Sequence, residues 1–168
     1  VAGPNSASPH ASPSDRRLKS GELVVIDWGA VYRGYRSDIT RTFVLGSPTP
    51  EMEQIHHTVL SANMAGRLAA RPQMPAQEVD RAARRVITRS GYGHYFIHRT
   101  GHGLGLDTHE PPYIVEGNQK LLEAGMIFTV EPGIYVPGAG GVRIEDDIVV
   151  TDDGSETLTT LPRDLIRV

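Results

Sequence analysis

The hydrophobic positions at the start of the chain alternate with turn residues in a way that predicts a strand pair. The apolar run Leu-Val-Val-Ile at 23–26 has the length and composition of a short buried strand. Gly29 and Gly34 then indicate a turn, and β-branched residues return at intervals over 37–45. We therefore expect a β-hairpin over roughly 23–45, preceded by a Pro-, Ser- and Gly-rich loop over 1–20.

Two segments in the middle of the chain have the spacing of amphipathic helices. Apolar residues recur at helical intervals over 50–71 and again over 76–90. Ser47 or Thr49 can cap the first helix, which begins with a proline, and Gly91 follows the second.

The remainder of the chain favours strands and turns, because short apolar runs there alternate with glycine and proline. The predicted strands cover 104–106, 126–130, 134–136, 142–150 and 157–161. A strand pair, a helix pair and a set of strands predict an α+β domain, with helices packed on one face of a mainly antiparallel sheet.

Composition narrows the classes of function. The 168 residues suffice for one domain with a buried core. The net charge of −3, without a block of basic residues, argues against a nucleic-acid partner. The absence of cysteine excludes disulfides and thiolate metal sites and is compatible with a cytoplasmic location. No apolar run is long enough to span a membrane, so we expect no membrane partner.

Acidic residues occur at the ends of apolar runs, where they are energetically costly. Asp27 follows Leu-Val-Val-Ile, Glu131 follows Ile-Phe-Thr-Val and Glu145 follows Val-Arg-Ile. A buried carboxylate must be paired or must coordinate a metal ion. One such acid is usually part of an ion pair, whereas several in succession favour a site.

Two predicted hairpins bring these acids together in pairs. Asp27 and Asp38 flank one glycine-containing turn, and Glu131 and Glu145 flank another. With His102 they form a set of four carboxylates and one imidazole, which suits Mn or Co, with Zn as a third candidate. Four negative charges close together require more than one cation, so we expect two divalent metal ions.

Other motifs fit less well. His98 and His102 have the spacing of a zinc-protease helix, but the glutamate is missing and three nearby glycines would break a helix. The same glycines lack the spacing of a phosphate-binding loop. No serine lies in a nucleophile elbow, so covalent acyl catalysis has little support.

Five stretches of the sequence resemble the pita-bread metallopeptidases, the family of methionine aminopeptidase, aminopeptidase P and prolidase. They are IDWGA, SDITRTF, HRTGHGLGLDTHE, TVEPGIY and GVRIEDDIVVT. SDITRTF, GVRIEDD and the early stretch GPNSASPH resemble the proline-directed branch, which contains the Xaa-Pro dipeptidases (prolidases) and Xaa-Pro aminopeptidases. The resemblance implies hydrolysis of the Xaa-Pro bond of short peptides by a hydroxide that bridges two metal ions.

The resemblance also implies roles for the five candidate ligands. Asp27 would chelate one metal ion, and His102 with Glu131 would complete the other. Asp38 and Glu145 would bridge the two ions.

Further residues match catalytic and substrate-binding positions of the same branch. His109 or His98 would stabilise the oxyanion, and Glu131 would carry a proton to the leaving nitrogen. The substrate-binding positions implied are His10, His98, His109, Tyr135 and Arg143. Considered individually, either histidine could be a structural hydrogen bonder, Tyr135 a core residue and Arg143 a partner of Asp146 or Asp147.

The resemblance implies that 1–168 is the C-terminal catalytic domain without its first helix pair and without the separate N-terminal domain of this branch. It also implies a homodimer in the full-length protein. Three alternatives are methionine aminopeptidase activity, a non-catalytic binding protein of the same fold and a metal-free, creatinase-like hydrolase. The choice between dipeptidase and aminopeptidase stays open.

Overall fold

A computed structural model describes residues 1–12 and 14–168 of the chain. Within these residues, two α-helices and twelve strands form, with two short 3₁₀ helices. The helices are α1 (Pro50–Ala69) and α2 (Ala76–Arg89), and the 3₁₀ helices cover Gly3–Ala7 and Gly93–Tyr95. The strands are β1 (Leu23–Trp28), β2 (Val31–Tyr32), β3 (Tyr35–Arg36), β4 (Ile39–Val44), β5 (Gly101–Gly103), β6 (Glu110–Ile114), β7 (Ile127–Val130), β8 (Gly133–Val136), β9 (Gly140–Arg143), β10 (Asp146–Val150), β11 (Ser155–Thr157) and β12 (Ile166–Arg167).

The strands form two larger sheets and two short ladders. One sheet has the order β1-β4-β12 and the other the order β11-β10-β7-β5-β6. The ladders are β2-β3 and β8-β9, and every pair is antiparallel except β4-β12. The predicted α+β class is therefore confirmed. The predicted hairpin over 23–45 is also present as β1 and β4, with the β2-β3 ladder at its tip.

Both predicted helices form, and their local sequence explains where they begin. The Thr49 hydroxyl accepts a hydrogen bond of 3.3 Å from the Met52 N–H, and Pro50 occupies the first turn of α1. Helix α2 begins after Pro75 without a side-chain cap. Among the described residues, no helix combines the length and the apolar character required to cross a membrane.

The helices pack on the sheets through two clusters of buried apolar side chains. The first cluster includes Val59 of α1, Leu23 of β1 and Val142 of β9. The second includes Val79 of α2 and Phe128 of β7. The loops that connect the strands at the candidate site are thereby attached to a packed core.

The prediction of a strand over 104–106 is wrong. The strand β5 lies immediately before this range, in the glycine-rich stretch Gly101–Gly103. A Cβ atom at Gly101 would lie 1.8 Å from the carbonyl oxygen of Thr129, so only glycine permits this approach to β7. Leu104 is buried in the loop that follows. Low strand propensity therefore concealed a strand whose close packing requires glycine.

Two other predicted strands have different bounds. The run 142–150 is split into β9 and β10, because Glu145 leaves the ladder with β8 and forms an isolated bridge to Thr40. The run 157–161 overlaps only the end of β11. Beyond it, Leu158 donates its N–H to the Asp147 carbonyl, and the Leu161 carbonyl accepts from Arg41.

The predicted N-terminal loop over 1–20 contains the first 3₁₀ helix, and Ala2 forms an isolated bridge to Val24. Pro13 lies outside the described residues. Strands β6 and β12 were not predicted. Strand β6 contains Pro111 and Pro112, which disfavour a strand prediction, and it pairs with the neighbouring β5; β12 is a short strand whose partner β4 lies far away in the sequence.

Asn63 connects α1 to the two segments that carry the candidate glutamates. Its side chain is fully buried, and its amide donates to the Val130 carbonyl at 2.9 Å and to the Ile144 carbonyl at 3.4 Å. Each of these carbonyls belongs to the residue immediately before a candidate ligand. One amide group therefore holds both segments at a fixed distance from the helix.

We expect Asn63→Leu to lower the free energy of unfolding by about 1–3 kcal/mol, because it leaves two carbonyl groups without their donor. Chemical denaturation followed by circular dichroism measures this change. Met64→Ala, on the exposed side of the same helix, is the control and should have a small effect. Equal stability of Asn63→Leu and the unmodified protein would contradict this role.

Candidate metal centre

The five candidate ligands come from separate elements that the two hairpins bring together. Asp27 lies near the end of β1, and Asp38 directly precedes β4. His102 is the middle residue of β5. Glu131 joins β7 to β8, and Glu145 lies between β9 and β10.

These side chains converge in one cavity of about 770 Å³. Ligand atoms of Asp38, His102 and Glu145 all lie within 4.8 Å of one another. The Nε2 atom of His102 is 3.4 Å from Oε1 of Glu131 and 4.0 Å from Oδ2 of Asp38. Asp27 lines the same cavity, but its side chain is about half exposed and accepts a 2.5 Å hydrogen bond from Arg143.

Burial of several like charges dominates the electrostatics of this cluster. Burial raises the pKa of Glu131 to about 8, although Arg143 opposes the shift. Burial, followed by the Asp27 carboxylate, raises the pKa of Asp38 to about 7. Burial and the neighbouring Glu131 raise the pKa of Glu145 well above its ordinary value. The protein's own cations therefore compensate the charge of this cluster only in part.

His102 is held as a neutral ligand that faces the acids. Its Nδ1 atom lies 3.0 Å from the Gly103 carbonyl, which can only accept, so Nδ1 carries the proton. Burial lowers the pKa of His102 to about 4, and the Nε2 lone pair faces Asp38 and Glu131. A neutral imidazole beside uncompensated carboxylates is a donor set that fits divalent metal ions.

Two residues that sequence reasoning missed orient the acids. The Thr40 hydroxyl donates to Glu145 Oε2 at 2.6 Å and accepts from Nε of Arg143 at 3.1 Å. Asp147 accepts the N–H of Asp38 at 3.1 Å through Oδ2. In the sequence, Thr40 appears only as a β-branched strand residue, and Asp147 as the last acid of GVRIEDD.

A hydrogen-bonded chain passes from Arg143 through Tyr135 to His98. Arg143 donates to the Tyr135 hydroxyl at 3.0 Å. Nδ1 of His98 lies 2.7 Å from the Arg99 carbonyl and must donate to it, so Nε2 accepts from the Tyr135 hydroxyl at 2.8 Å. Burial lowers the pKa of His98 to about 4 and raises that of Tyr135 to about 12, which keeps both groups neutral.

His109 and His10 lie at the more exposed side of the cavity. The ring centroids of His109 and His102 are 4.1 Å apart, with the rings nearly perpendicular. No hydrogen bond occupies the His109 ring within the part of the chain that the structure describes, in contrast to His98. His10 is exposed and lines the cavity.

The structure thus brings all of the predicted site residues to one region, and all but Tyr135 line the cavity itself. Tyr135 is buried behind His98. Arg143 pairs with Asp27, and neither Asp146 nor Asp147 is its partner.

Comparison with known proteins agrees with this geometry. The model of metallopeptidase family M24 matches residues 1–152. An uncharacterized peptidase of Staphylococcus aureus is 52% identical over 157 residues, which cover 94% of this chain and 45% of that protein. The chain therefore spans about half the length of the curated relatives it matches.

Two solved structures extend the comparison to the fold. The prolidase from Thermococcus sibiricus superposes with a TM-score of 0.98 and 49% identity, over 100% of this chain and 46% of that one. The X-Pro aminopeptidase from Thermotoga maritima gives a TM-score of 0.97 and 42% identity, over 100% and 48%. The predicted pita-bread fold is confirmed, and the chain belongs to metallopeptidase family M24.

Proposed function

We propose that the protein is a dinuclear-metal hydrolase that cleaves the Xaa-Pro peptide bond of dipeptides or short peptides. The observation that carries this proposal is the convergence of four carboxylates and one neutral imidazole in a single cavity. The similarity to a prolidase and to an X-Pro aminopeptidase supports the proline-directed substrate class.

The metal ions would be held by the five side chains in the arrangement that the family resemblance implies. Asp27 would bind one ion, His102 and Glu131 the other, and Asp38 and Glu145 both. Manganese or cobalt suits this oxygen-rich set best, and zinc is a third candidate. When bound, the ions would polarise the scissile carbonyl and lower the pKa of the attacking water from about 15.7 towards about 7.

Glu131 is the residue best positioned to move a proton in this reaction. Its carboxylate lines the cavity, and Oε1 accepts a hydrogen bond of 3.3 Å from the Thr129 hydroxyl. We infer that it takes a proton from the attacking water and delivers it to the imino nitrogen of the leaving proline.

His109 is a better candidate than His98 for stabilising the oxyanion. Both ring nitrogens of His98 are engaged, by the Arg99 carbonyl and by the Tyr135 hydroxyl. The His109 ring faces the cavity and can donate to the developing negative charge. His98 would instead position Tyr135 and Arg143, and His10 would contact the substrate from the open side.

Other properties implied by the resemblance stay predictions. These are the homodimer, the cytoplasmic location and the extent of 1–168 as a catalytic domain. Structural similarity does not distinguish the two proline-directed activities, because a prolidase and an X-Pro aminopeptidase superpose on this chain almost equally well.

We expect Asp38→Asn to reduce kcat/KM for an Xaa-Pro substrate at least 100-fold, because the amide removes one of the charges that would hold the ions. Circular dichroism should be unchanged. Asp153→Asn, on an exposed loop, is the matched control and should keep full activity. Near-normal turnover of Asp38→Asn with metal still bound would refute the bridging role.

The substrate class is tested with manganese-loaded protein and three peptides: Ala-Pro, Ala-Pro-Ala and Met-Ala-Ser. We expect cleavage before proline in at least one of the first two and little cleavage of the third. Preferred release of methionine would instead favour the methionine aminopeptidase alternative. Metal analysis showing no bound ion after loading would favour a binding protein or a metal-free hydrolase.

Metal removal should give the protein an unusual dependence of stability on pH. In the metal-free protein, Glu131 and Asp38 have folded pKa values of about 8 and 7, well above those of the unfolded chain. The native state therefore binds more protons, and the free energy of unfolding falls as pH rises. Histidines with depressed pKa values, such as His98, oppose this trend only below about pH 6.5.

We accordingly expect the Tm of chelator-treated protein to fall between about pH 6.5 and 8, and saturating manganese to remove or reverse this fall. Differential scanning fluorimetry at each pH provides the measurement. Glu131→Gln should flatten the slope, because glutamine does not titrate. A metal-free Tm that rises over the same interval would contradict the electrostatic account.

A further inference from the structure

Helix α2 contains a buried carboxylate that the proposed mechanism does not use. The Asp80 side chain is fully buried and lies outside the lining of the metal-binding cavity. Its Oδ1 atom accepts the Thr100 N–H at 3.1 Å and the Thr100 hydroxyl at 2.7 Å. One turn further along the helix, Arg84 donates to both carboxylate oxygens, at 3.0 Å and 3.1 Å. This acid is therefore compensated within the protein and is not itself a site for a cation.

The hydrogen bonds of Thr100 lead from Asp80 to two of the candidate metal ligands. The Thr100 carbonyl accepts the Glu131 N–H at 2.8 Å. Two residues later, the His102 N–H donates to the Thr129 hydroxyl at 3.1 Å, and that hydroxyl donates to Glu131 Oε1 at 3.3 Å. Thr100 thus connects the buried carboxylate of α2 to the backbone of Glu131 and to the strand that carries His102.

Arg84 fixes the segment that precedes this threonine. Its guanidinium donates to the Phe96 carbonyl at 2.9 Å and to the His98 carbonyl at 2.8 Å, and it lies 4.1 Å from the centroid of the Phe96 ring. Residues 96–100 form no helix or strand, so these side-chain hydrogen bonds satisfy carbonyl groups that have no ladder partner. The two charged residues of α2 therefore determine the path of the chain into β5.

The network reaches only one side of the proposed metal centre. Asp27, the ligand of the other ion, lies on β1, which pairs with β4. Within residues 1–12 and 14–168, neither Asp80 nor Arg84 hydrogen-bonds to β1 through its side chain. A change in this network should therefore displace His102 and Glu131 relative to Asp27.

We propose that Asp80 and Arg84 are positioning residues that set the affinity of the ion bound by His102 and Glu131. This inference rests on the proposed metal sites and goes beyond them, because neither residue contacts an ion or the substrate. Groups that orient metal ligands from behind typically contribute about 10–100-fold to metal affinity. The ion bound by Asp27 should depend little on this network.

The test is calorimetric titration of the metal-free protein with manganese. His102→Ala and Asp27→Asn each remove one ligand and thereby identify the binding step of each ion. We expect Asp80→Asn to weaken, by about tenfold or more, the same step that His102→Ala abolishes. The step that Asp27→Asn abolishes should stay nearly unchanged. Equal weakening of both steps, or of neither, would overturn the proposal.

A second pair of variants tests the link through Thr100 without altering a buried charge. Thr100→Val removes the hydroxyl that donates to Asp80, and Thr100→Ser keeps it. The valine variant should weaken the same ion, whereas the serine variant should bind both ions like the unmodified protein. Unchanged binding of both ions by Thr100→Val would contradict the link.

Two controls separate positioning from general destabilisation. Glu78→Gln removes another acid of α2, one that forms a 2.7 Å ion pair with Arg81 away from the cavity. Leu122→Ala leaves a void in the second apolar cluster and so destabilises the fold without changing a residue that lines the cavity. Both variants should bind the two ions like the unmodified protein. Selective weakening of the same ion by Leu122→Ala would overturn the proposal, because loss of stability alone would then explain the effect.

Failure of the proposed function gives a different result. If the unmodified protein binds no divalent ion, the dinuclear-metal assignment fails, and amide hydrogen exchange of the metal-free protein still tests the positioning. Asp80→Asn should accelerate exchange of the Thr100 and Glu131 N–H groups but not that of Ile148, which lies in the β10-β7 ladder. Unchanged exchange at Thr100 and Glu131, or equal acceleration at all three residues, would overturn the inference.

Discussion

The contact between β4 and the segment 143–147 is the interaction on which the site depends. The Glu145 N–H donates to the Thr40 carbonyl, and the Thr40 hydroxyl donates back to the Glu145 carboxylate. On either side of this pair, Thr42 and Arg143 exchange hydrogen bonds, and Arg41 reaches the Glu145 carbonyl. Because these contacts join residues more than 100 positions apart, the two carboxylate pairs come together only in the folded chain.

Neighbouring acids in this segment show why burial alone does not identify a site. Asp146 is fully buried, but Arg41 and Arg163 donate to its carboxylate at 2.8 Å and 2.7 Å. Glu145, one residue earlier, accepts only from a threonine hydroxyl among the described side chains, and other carboxylates surround it. The first acid is part of a structural ion pair, whereas the second forms no salt bridge within residues 1–12 and 14–168 and fits a bound cation.

Sequence reasoning reached this site because the relevant signal is local. An acid at the end of an apolar run, repeated on two hairpins, is visible without any knowledge of packing, and the helix cap at Thr49 is equally local. The missed features depend on partners distant in sequence. Strand β5 forms because its glycines permit close approach to β7, and Asp147 could not be distinguished from Asp146 until Asp38 was located beside it.

Under the proposed function, metal binding would make the net charge of the cavity positive. Without metal, Asp27, Asp38, Glu131 and Glu145 make the cavity a site for cations, and those of the acids that are ionised would repel a peptide carboxylate. Two divalent ions would cancel four carboxylate charges, so the guanidinium groups of Arg99 and Arg143, which line the cavity, would then dominate the field. An anionic peptide end should therefore bind well only after the metal ions. The same acids that hold the metal would, through this neutralisation, determine the order in which metal and substrate bind.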